Sequence, residues 1–193
     1  MISSHIYTVH GIVLKRRNVG EADRIVSIFT KEYGKIRVIA KGIRRITSRR
    51  AAHLEVFRNV TVTLHKGKTL DIVTEVQSAA LFDTISSHVQ KISFAYYLCE
   101  LIDRLLPEHL PAGGHGQEHA DIFRLAVDAF HSLDRGASAL AWQQEIFTFA
   151  LELLWILGYL PRTITLKEEH IQPYVERIIE KKLRTPKILH QLE

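Results

Sequence analysis

The sequence predicts an α+β chain, with a strand-rich first part that closes into a small barrel or a sandwich and an all-helical part behind it. Three observations carry this. Apolar residues recur with period 2 as far as about residue 77, and with a period near 3.6 after about Ser78. The charge divides at nearly the same place. Residues 1–80 hold 15 Lys/Arg against 6 Asp/Glu, a balance of +9, and residues 81–193 hold 11 against 15, a balance of −4. The composition, 46% hydrophobic and 24% charged over 193 residues, is that of an ordinary folded protein of one or two small domains. The expected domains are therefore 1–78 and 79–193.

The strands follow in order. Ile12 and Leu14 alternate with Val13, Lys15 and Arg17. Ile25, Val26, Ile28 and Phe29 form an all-apolar run that predicts a strand buried on both sides. Ile36, Val38 and Ala40 alternate with Lys35, Arg37 and Lys41, and Val60, Val62 and Leu64 with Thr61, Thr63 and His65. Leu70, Ile72 and Val76 close the series. Gly34 and Gly67 supply hairpin turns.

The helices come next. One apolar stripe is Ile92, Ala95, Tyr96, Cys99, Ile102 and Leu106. A second is Ile122, Leu125, Ala126, Ala129, Phe130 and Leu133, stopped by Gly136. The third, Trp142, Ile146, Phe149, Leu153 and Ile156, also carries Phe147, Leu151 and Leu154, which predicts the central helix. Gly158 and Pro161 end it. A last helix is expected from near Pro173, with Tyr174, Ile178 and Ile179 facing in.

Several classes are disfavoured. The single cysteine, Cys99, allows neither an internal disulfide nor a multi-cysteine zinc site, and suggests a reducing, cytoplasmic setting. Met1–His5 has no signal-peptide character. The greasiest stretch, Ile146 to Leu157, is broken by Thr148 and Glu152, so no membrane span is expected. No GxxxxGK phosphate loop indicates ATP use. No cofactor, metal or catalytic residue is expected, and the chain reads as a non-enzyme.

Binding is the chemistry the first part supports. Alternation sends Ile36, Val38 and Ala40 inward and Lys35, Arg37 and Lys41 outward together. The segment 44–50 then holds four arginines in seven residues, Arg44, Arg45, Arg49 and Arg50, and no acid. Lys15, Arg16, Arg17 and Arg24 add to the same half. Clustered cations of this kind match a phosphate backbone through counterion release, although a solvated basic surface has the same composition. Tyr33, in a turn, is the candidate for base stacking. Phe29 reads as core.

The segment from Gly11 to Gln77 resembles a known family. Its most specific parts are Gly20-Glu21-Ala22-Asp23-Arg24, Phe29-Thr30 through Gly34-Lys35, and Ala40-Lys41-Gly42 leading to Arg44-Arg45. Leu81-Phe82-Asp83, then Tyr97-Leu98-Cys99-Glu100-Leu101-Ile102-Asp103 and Leu157-Gly158-Tyr159-Leu160-Pro161, sit in the same order as similar blocks of that family. It is RecO, the bacterial recombination mediators. The resemblance implies a five-stranded OB-fold barrel at 1–78, which binds DNA, and an α-helical domain at 79–193, which makes protein contacts. It implies binding of single- and double-stranded DNA, annealing of complementary strands, and loading of RecA together with RecR at gaps covered by single-stranded-DNA-binding protein. That protein's acidic C-terminal tail is an implied partner, and the bacterial cytoplasm and nucleoid the implied location. The DNA role would fall on Lys15, Arg16, Arg24, Lys35, Arg37, Lys41, Arg44, Arg45, Arg49 and Arg50. An acidic apolar tail needs an apolar pocket edged by cations, with Arg104, Arg124 and Arg135 as candidates beside Phe123 or Phe147.

One departure stands out. Many members carry a four-cysteine zinc site after the Leu-Gly-Tyr block, and here no cysteine follows Cys99. His109, His115 and His119 lie close in sequence but read as a solvated loop. Glu21 and Asp23 read as a turn tied down by Arg24 rather than an acid–base pair. Cys99, Trp142 and Trp155 read as core. An OB-fold adaptor that binds RNA or the ribosome is the alternative function.

Overall fold

The computed structural model describes residues 5–46, 48, 50–78, 82, 84–108, 116–136 and 138–185. Five strands come first: β1 (Ile6–Val19), β2 (Asp23–Thr30), β3 (Gly34–Ala40), β4 (Asn59–His65) and β5 (Asp71–Ser78). Four helices follow: α1 (Val89–Leu105), α2 (Gly116–Arg135), α3 (Ala139–Ile156) and α4 (Glu168–Ile178). The chain forms two compact units, one of 1–81 with 106–123 and one of 82–105 with 124–193.

The strands form a closed barrel in the order β1-β2-β3-β5-β4. All neighbours are antiparallel except β3 and β5, which run parallel. This is an OB-fold. β1 closes it by serving two partners. Ile6–Ile12 pair with β4, while Gly11–Val19 pair with β2. The strand changes register between Val13 and Lys15, and such a bulge bends a strand at a barrel corner. Gly11 lies at the crossing, where a Cβ would stand 2.5 Å from the Ile28 Cγ2 and 2.7 Å from the Phe29 carbonyl oxygen. A side chain is therefore excluded by close approach.

Alternation fills the interior with Val9, Val13, Val26, Ile28, Ile36, Val38, Val60, Val62 and Leu64, and a bulge at Thr74 in β5 adds Val73 and Val76 where the sequence suggests Leu70, Ile72 and Val76. Ile43 and Leu54, from the loop between β3 and β4, are fully buried in the same core. β2 is buried on both faces, as its apolar run predicts. Its outward Phe29 is fully buried, with its ring 5.9 Å from that of Phe123.

Lys35 departs from the expected outward row. Directly opposed residues share a face, so Lys35 lies beside Phe29 and Ile12 on the outer wall. That part of the wall is covered: the backbone at Glu108 bridges to Lys35, which is only 8% exposed. Alternation identifies the face correctly, but not what lies over it.

The helical unit has an apolar core joined by a few buried polar ties. α1 is buried nearly all round, from Phe94 through Leu105, and Tyr96, expected on its buried stripe, is exposed. α3 buries Trp142, Ile146, Phe149, Ala150, Leu151, Leu153 and Leu154. Ser138 caps its start, accepting from the Ala141 N–H at 3.3 Å. Gly158 ends it at φ +73, with Tyr159 N–H to the Leu154 carbonyl and Gly158 N–H to the Trp155 carbonyl. α4 begins at Glu168, earlier than expected, and takes Pro173 within it. Its buried face is Ile171, Val175 and Glu176, while Tyr174, Ile178 and Ile179 are only partly buried. Pro173 is the sixth of the eleven residues, so it removes one interior donor, and the buried Ile171 and Val175 on either side carry the helix through it.

Lys91 is buried, and its ammonium donates to the Thr84 hydroxyl at 2.9 Å and the Asp134 carbonyl at 2.6 Å, 5.3 Å from the Trp142 ring centre. Burial of a charge is tolerable only with such partners. Glu100 accepts from the Arg184 and Thr185 N–H groups and from the Thr185 hydroxyl. Glu176 is buried too, which by itself would raise its pKa. Hydrogen bonds from Lys182 at 2.6 Å, Gln172 at 3.2 Å and the Leu183 N–H at 3.1 Å outweigh burial and hold the carboxyl below the ordinary glutamate value.

Two predictions follow from this packing. Gly11→Ala forces β1 off β2 and lowers stability by about 1–3 kcal/mol, read as a fall in the thermal midpoint. Glu176 contributes stability above the unfolded glutamate pKa of about 4.3, and the contribution is lost as pH falls through its lowered folded value. Glu176→Gln is therefore less stable at neutral pH, and the gap narrows on acidification when thermal midpoints are compared across pH. A gap that widens on acidification contradicts the assignment.

Candidate nucleic-acid interface

One end of the barrel gathers the basic residues because two loops are tied together there. The β1–β2 turn, 20–22, brings the strand ends at Asn18 and Arg24 together, and the β3–β4 loop runs from Lys41 to Arg58. Asp23 accepts from the Gly42 N–H at 2.7 Å, and Gly42 sits at φ +65, where only glycine is unstrained. The Arg44 N–H donates to the Ala22 carbonyl at 2.9 Å, and its guanidinium to the Gly20 carbonyl at 3.3 Å. At the far end of the loop Phe57, at φ 70, donates to the Val13 carbonyl, and the Val13 N–H donates to Arg58. The loop thereby meets β1 at its bulge.

The candidate cations divide by what they touch. Lys41, Arg44 and Arg45 are exposed on this loop. Arg45 lies over Gly42, 3.6 Å from where a Cβ would stand. Arg16 and Arg24 share one carboxylate, Glu55, with Arg24 at 3.2 Å, and Arg24 also donates to Asn18 at 3.1 Å. Two guanidiniums on one carboxylate leave a positive balance. Lys15, opposite Ser27, which is itself opposite Arg37, stands with Arg37 in a row across the outer face, and both are exposed. Arg37 is also paired with Glu108. Arg50 faces inward. Its guanidinium donates to the Val73 carbonyl at 2.7 Å and the Lys41 carbonyl at 3.0 Å, tying the loop to β5 and to the end of β3. Arg50 is thus a brace where the sequence suggests a phosphate contact, and Lys35 is buried. Arg49 lies outside the described residues.

The other candidates are placed as follows. Tyr33 packs against the barrel core, with its ring 5.6 Å from that of Tyr7 and nearly perpendicular to it. The ring that the sequence offers for base stacking is thus partly buried. Tyr7 donates to Asp71, and burial first and that hydrogen bond second push its pKa up. Arg24 ties down Glu55 rather than Glu21 or Asp23. Arg104, 3.9 Å from Glu100, lies on α1, Arg124 and Arg135 on α2 and Phe147 on α3. Phe123 is engaged with Phe29. Cys99 is buried, and burial pushes its thiol pKa up, the opposite of a nucleophile's environment. His109 and His115 lie outside the described residues, as does the side chain of His119. Among the described residues no group of three His, Cys, Asp or Glu is placed to hold a metal ion.

Glu55 and the bracing carbonyls are what sequence reasoning missed. Glu55 is the lone acid between Lys41 and Arg58, and that isolation is the signal that could have found it. Arg17, exposed and opposite Ile25, extends the basic face and carries the same signal as its neighbours. The arrangement presents many fixed donors and few acceptors, which suits a polyanion.

Comparison with known proteins agrees with this picture. Residues 1–82 match the family model described as Recombination protein O N terminal, and residues 87–164 that of Recombination protein O C terminal. The DNA repair protein RecO of Desulfitobacterium hafniense is 33% identical over 163 residues, 84% of this chain and 56% of that protein. Those of a Roseiflexus species and Heliobacterium modesticaldum are 34% and 35% identical, over 81% of this chain and 52% and 53% of theirs. The chain spans about half the length of the curated relatives it matches. With both halves matched in order and an OB-fold barrel in front of helices, the chain belongs to the recombination protein O (RecO) family.

Proposed function

We propose that this chain is a non-catalytic DNA repair and recombination mediator whose barrel binds single- and double-stranded DNA. The observation that supports it most is the braced basic end of the barrel, where Lys41, Arg44 and Arg45 are exposed beside Arg16, with Lys15, Arg17 and Arg37 on the adjoining outer face. Phosphates are bound there without regard to sequence. Neutralising two strands at once lowers their mutual repulsion, which is how such a surface anneals complementary strands without ATP. In this reading Arg24 and Arg50 position the loop, and Lys35 supports the wall.

The helical unit takes the protein partners: RecR, the acidic tail of single-stranded-DNA-binding protein and, through them, RecA. Arg104, Arg124 and Phe147 are the residues assigned to the tail. Among the described residues no helix is long and apolar enough to cross a membrane.

The test is DNA binding followed by anisotropy across a salt series, alongside an annealing assay. The wild-type chain should bind oligonucleotides with steep salt dependence. Replacing Lys41, Arg44 and Arg45 with Ala should weaken binding of all sequences alike and reduce the log–log salt slope on single strands by about 2. Absence of binding to either strand form at low salt, or a preference for structured RNA without annealing, rejects the reading.

A further inference from the structure

Ile46 is the residue on the basic loop that the phosphate chemistry does not use. Its relative exposure is 106%, the largest among the exposed large hydrophobic residues of the described chain. Described residues on either side of it are anchored in the barrel. Ile43, three residues before it, is fully buried in the barrel core, and Leu54 beyond it is buried in the same core. The Arg45 N–H donates to the Gly42 carbonyl at 3.2 Å, and the Ser48 N–H to the Arg45 carbonyl at 2.9 Å. The turn from Gly42 to Arg45 leads directly into Ile46, and the contacts of Arg44 with the β1–β2 turn fix that side of it.

An isoleucine held fully in water forgoes the favourable burial of its side chain. Its surroundings restrict what can cover it. Arg44 and Arg45 precede it directly and Lys41 is exposed on the same loop, so the occupant must bring negative charge and a flat apolar surface together. A run of unpaired nucleotides does so, with successive phosphates for the cations and a free base face for the side chain. A base pair inside a duplex hides that face in its stack.

We propose that Ile46 is a contact for unpaired bases, packing against or between the bases of a single strand whose phosphates lie on Lys41, Arg44 and Arg45. This rests on the DNA-binding reading above and adds to it the preference for single-stranded over duplex DNA. A β-branched side chain has few rotamers to lose on contact, so it serves as a wedge beside unpaired bases despite lacking an aromatic ring.

The test compares wild type with Ile46→Ser and Ile46→Trp on a single-stranded oligonucleotide, on its duplex, and on a single strand carrying 2-aminopurine. Ile46→Ser should lose about tenfold in single-strand affinity, a side-chain burial's worth. Its salt slope should be unchanged, because no charge is removed. Duplex affinity should stay within about twofold, as no base face is free there. The 2-aminopurine fluorescence change seen with wild type should shrink with Ile46→Ser and strengthen with Ile46→Trp. Thermal midpoints should match, because the side chain touches nothing it would leave unfilled. If wild type binds DNA but Ile46→Ser leaves single-strand affinity and fluorescence unchanged, or weakens duplex binding equally, the wedge is overturned while the DNA reading stands. If wild type binds neither strand form, both fall.

Discussion

The structure depends on holding several like charges on one loop at one end of a small barrel. Left to itself such a loop would spread, since its cations repel one another and each ordered residue loses about 1–2 kcal/mol of backbone entropy. Three kinds of contact oppose that. Ile43 and Leu54 bury their side chains in the barrel core. Arg50 turns its charge inward onto the Val73 and Lys41 carbonyls. Glu55 takes Arg16 and Arg24 together, and Asp23 binds the Gly42 N–H. The same bonds leave Lys41, Arg44, Arg45 and Ile46 exposed, so the anchoring and the exposed basic surface come from one arrangement.

The outer wall of β2 and β3 follows a second logic. In OB-folds this wall is a common ligand face. Here Phe29 is buried with Phe123 against it, Lys35 is buried beside them, and Arg37 is paired with Glu108. The chain itself occupies that part of the wall, and the exposed cations are left toward the β1–β2 turn and the β3–β4 loop. A barrel wall covered on both sides also explains why β2 carries apolar residues on both faces, with Ser27 alone between Val26 and Ile28.

The helical unit is held by polar groups that are few and fully engaged. Lys91, Glu100 and Glu176 each have several partners within hydrogen-bond distance. A buried polar group with partners fixes geometry, whereas one without them destabilises the core. Gly136 belongs to the same set. A Cβ there would stand 2.8 Å from the Trp142 ring, whose N–H donates to the Gly136 carbonyl at 2.9 Å. The glycine stop after α2 is thus also the seat of a core tryptophan.

Much was legible in the sequence because period and charge are local. Alternation placed β1 to β4, the inward set of β3 and the two-sided burial of β2, since neighbouring side chains on a strand must point to opposite faces, while the bulge in β5 put Val73 inward in place of Ile72. The 3.6 period placed α2 and α3, and Gly158 marked where α3 ends. The basic character of segment 41–58 was equally plain. What tertiary structure alone decided was which groups meet. Lys35 is buried because Glu108, 73 positions away in sequence, bridges to its backbone. Arg50 braces the loop because Val73 and Lys41 present carbonyls to it, and Tyr33 is partly buried because it packs on the barrel core beside Tyr7. Tyr96 faces water because α1 is packed on other sides, and α4 starts at Glu168 because Ile171 and Val175 have a core to enter. A pattern in sequence names a face. Burial and partnership belong to residues that sequence distance keeps apart, and only the fold brings them together.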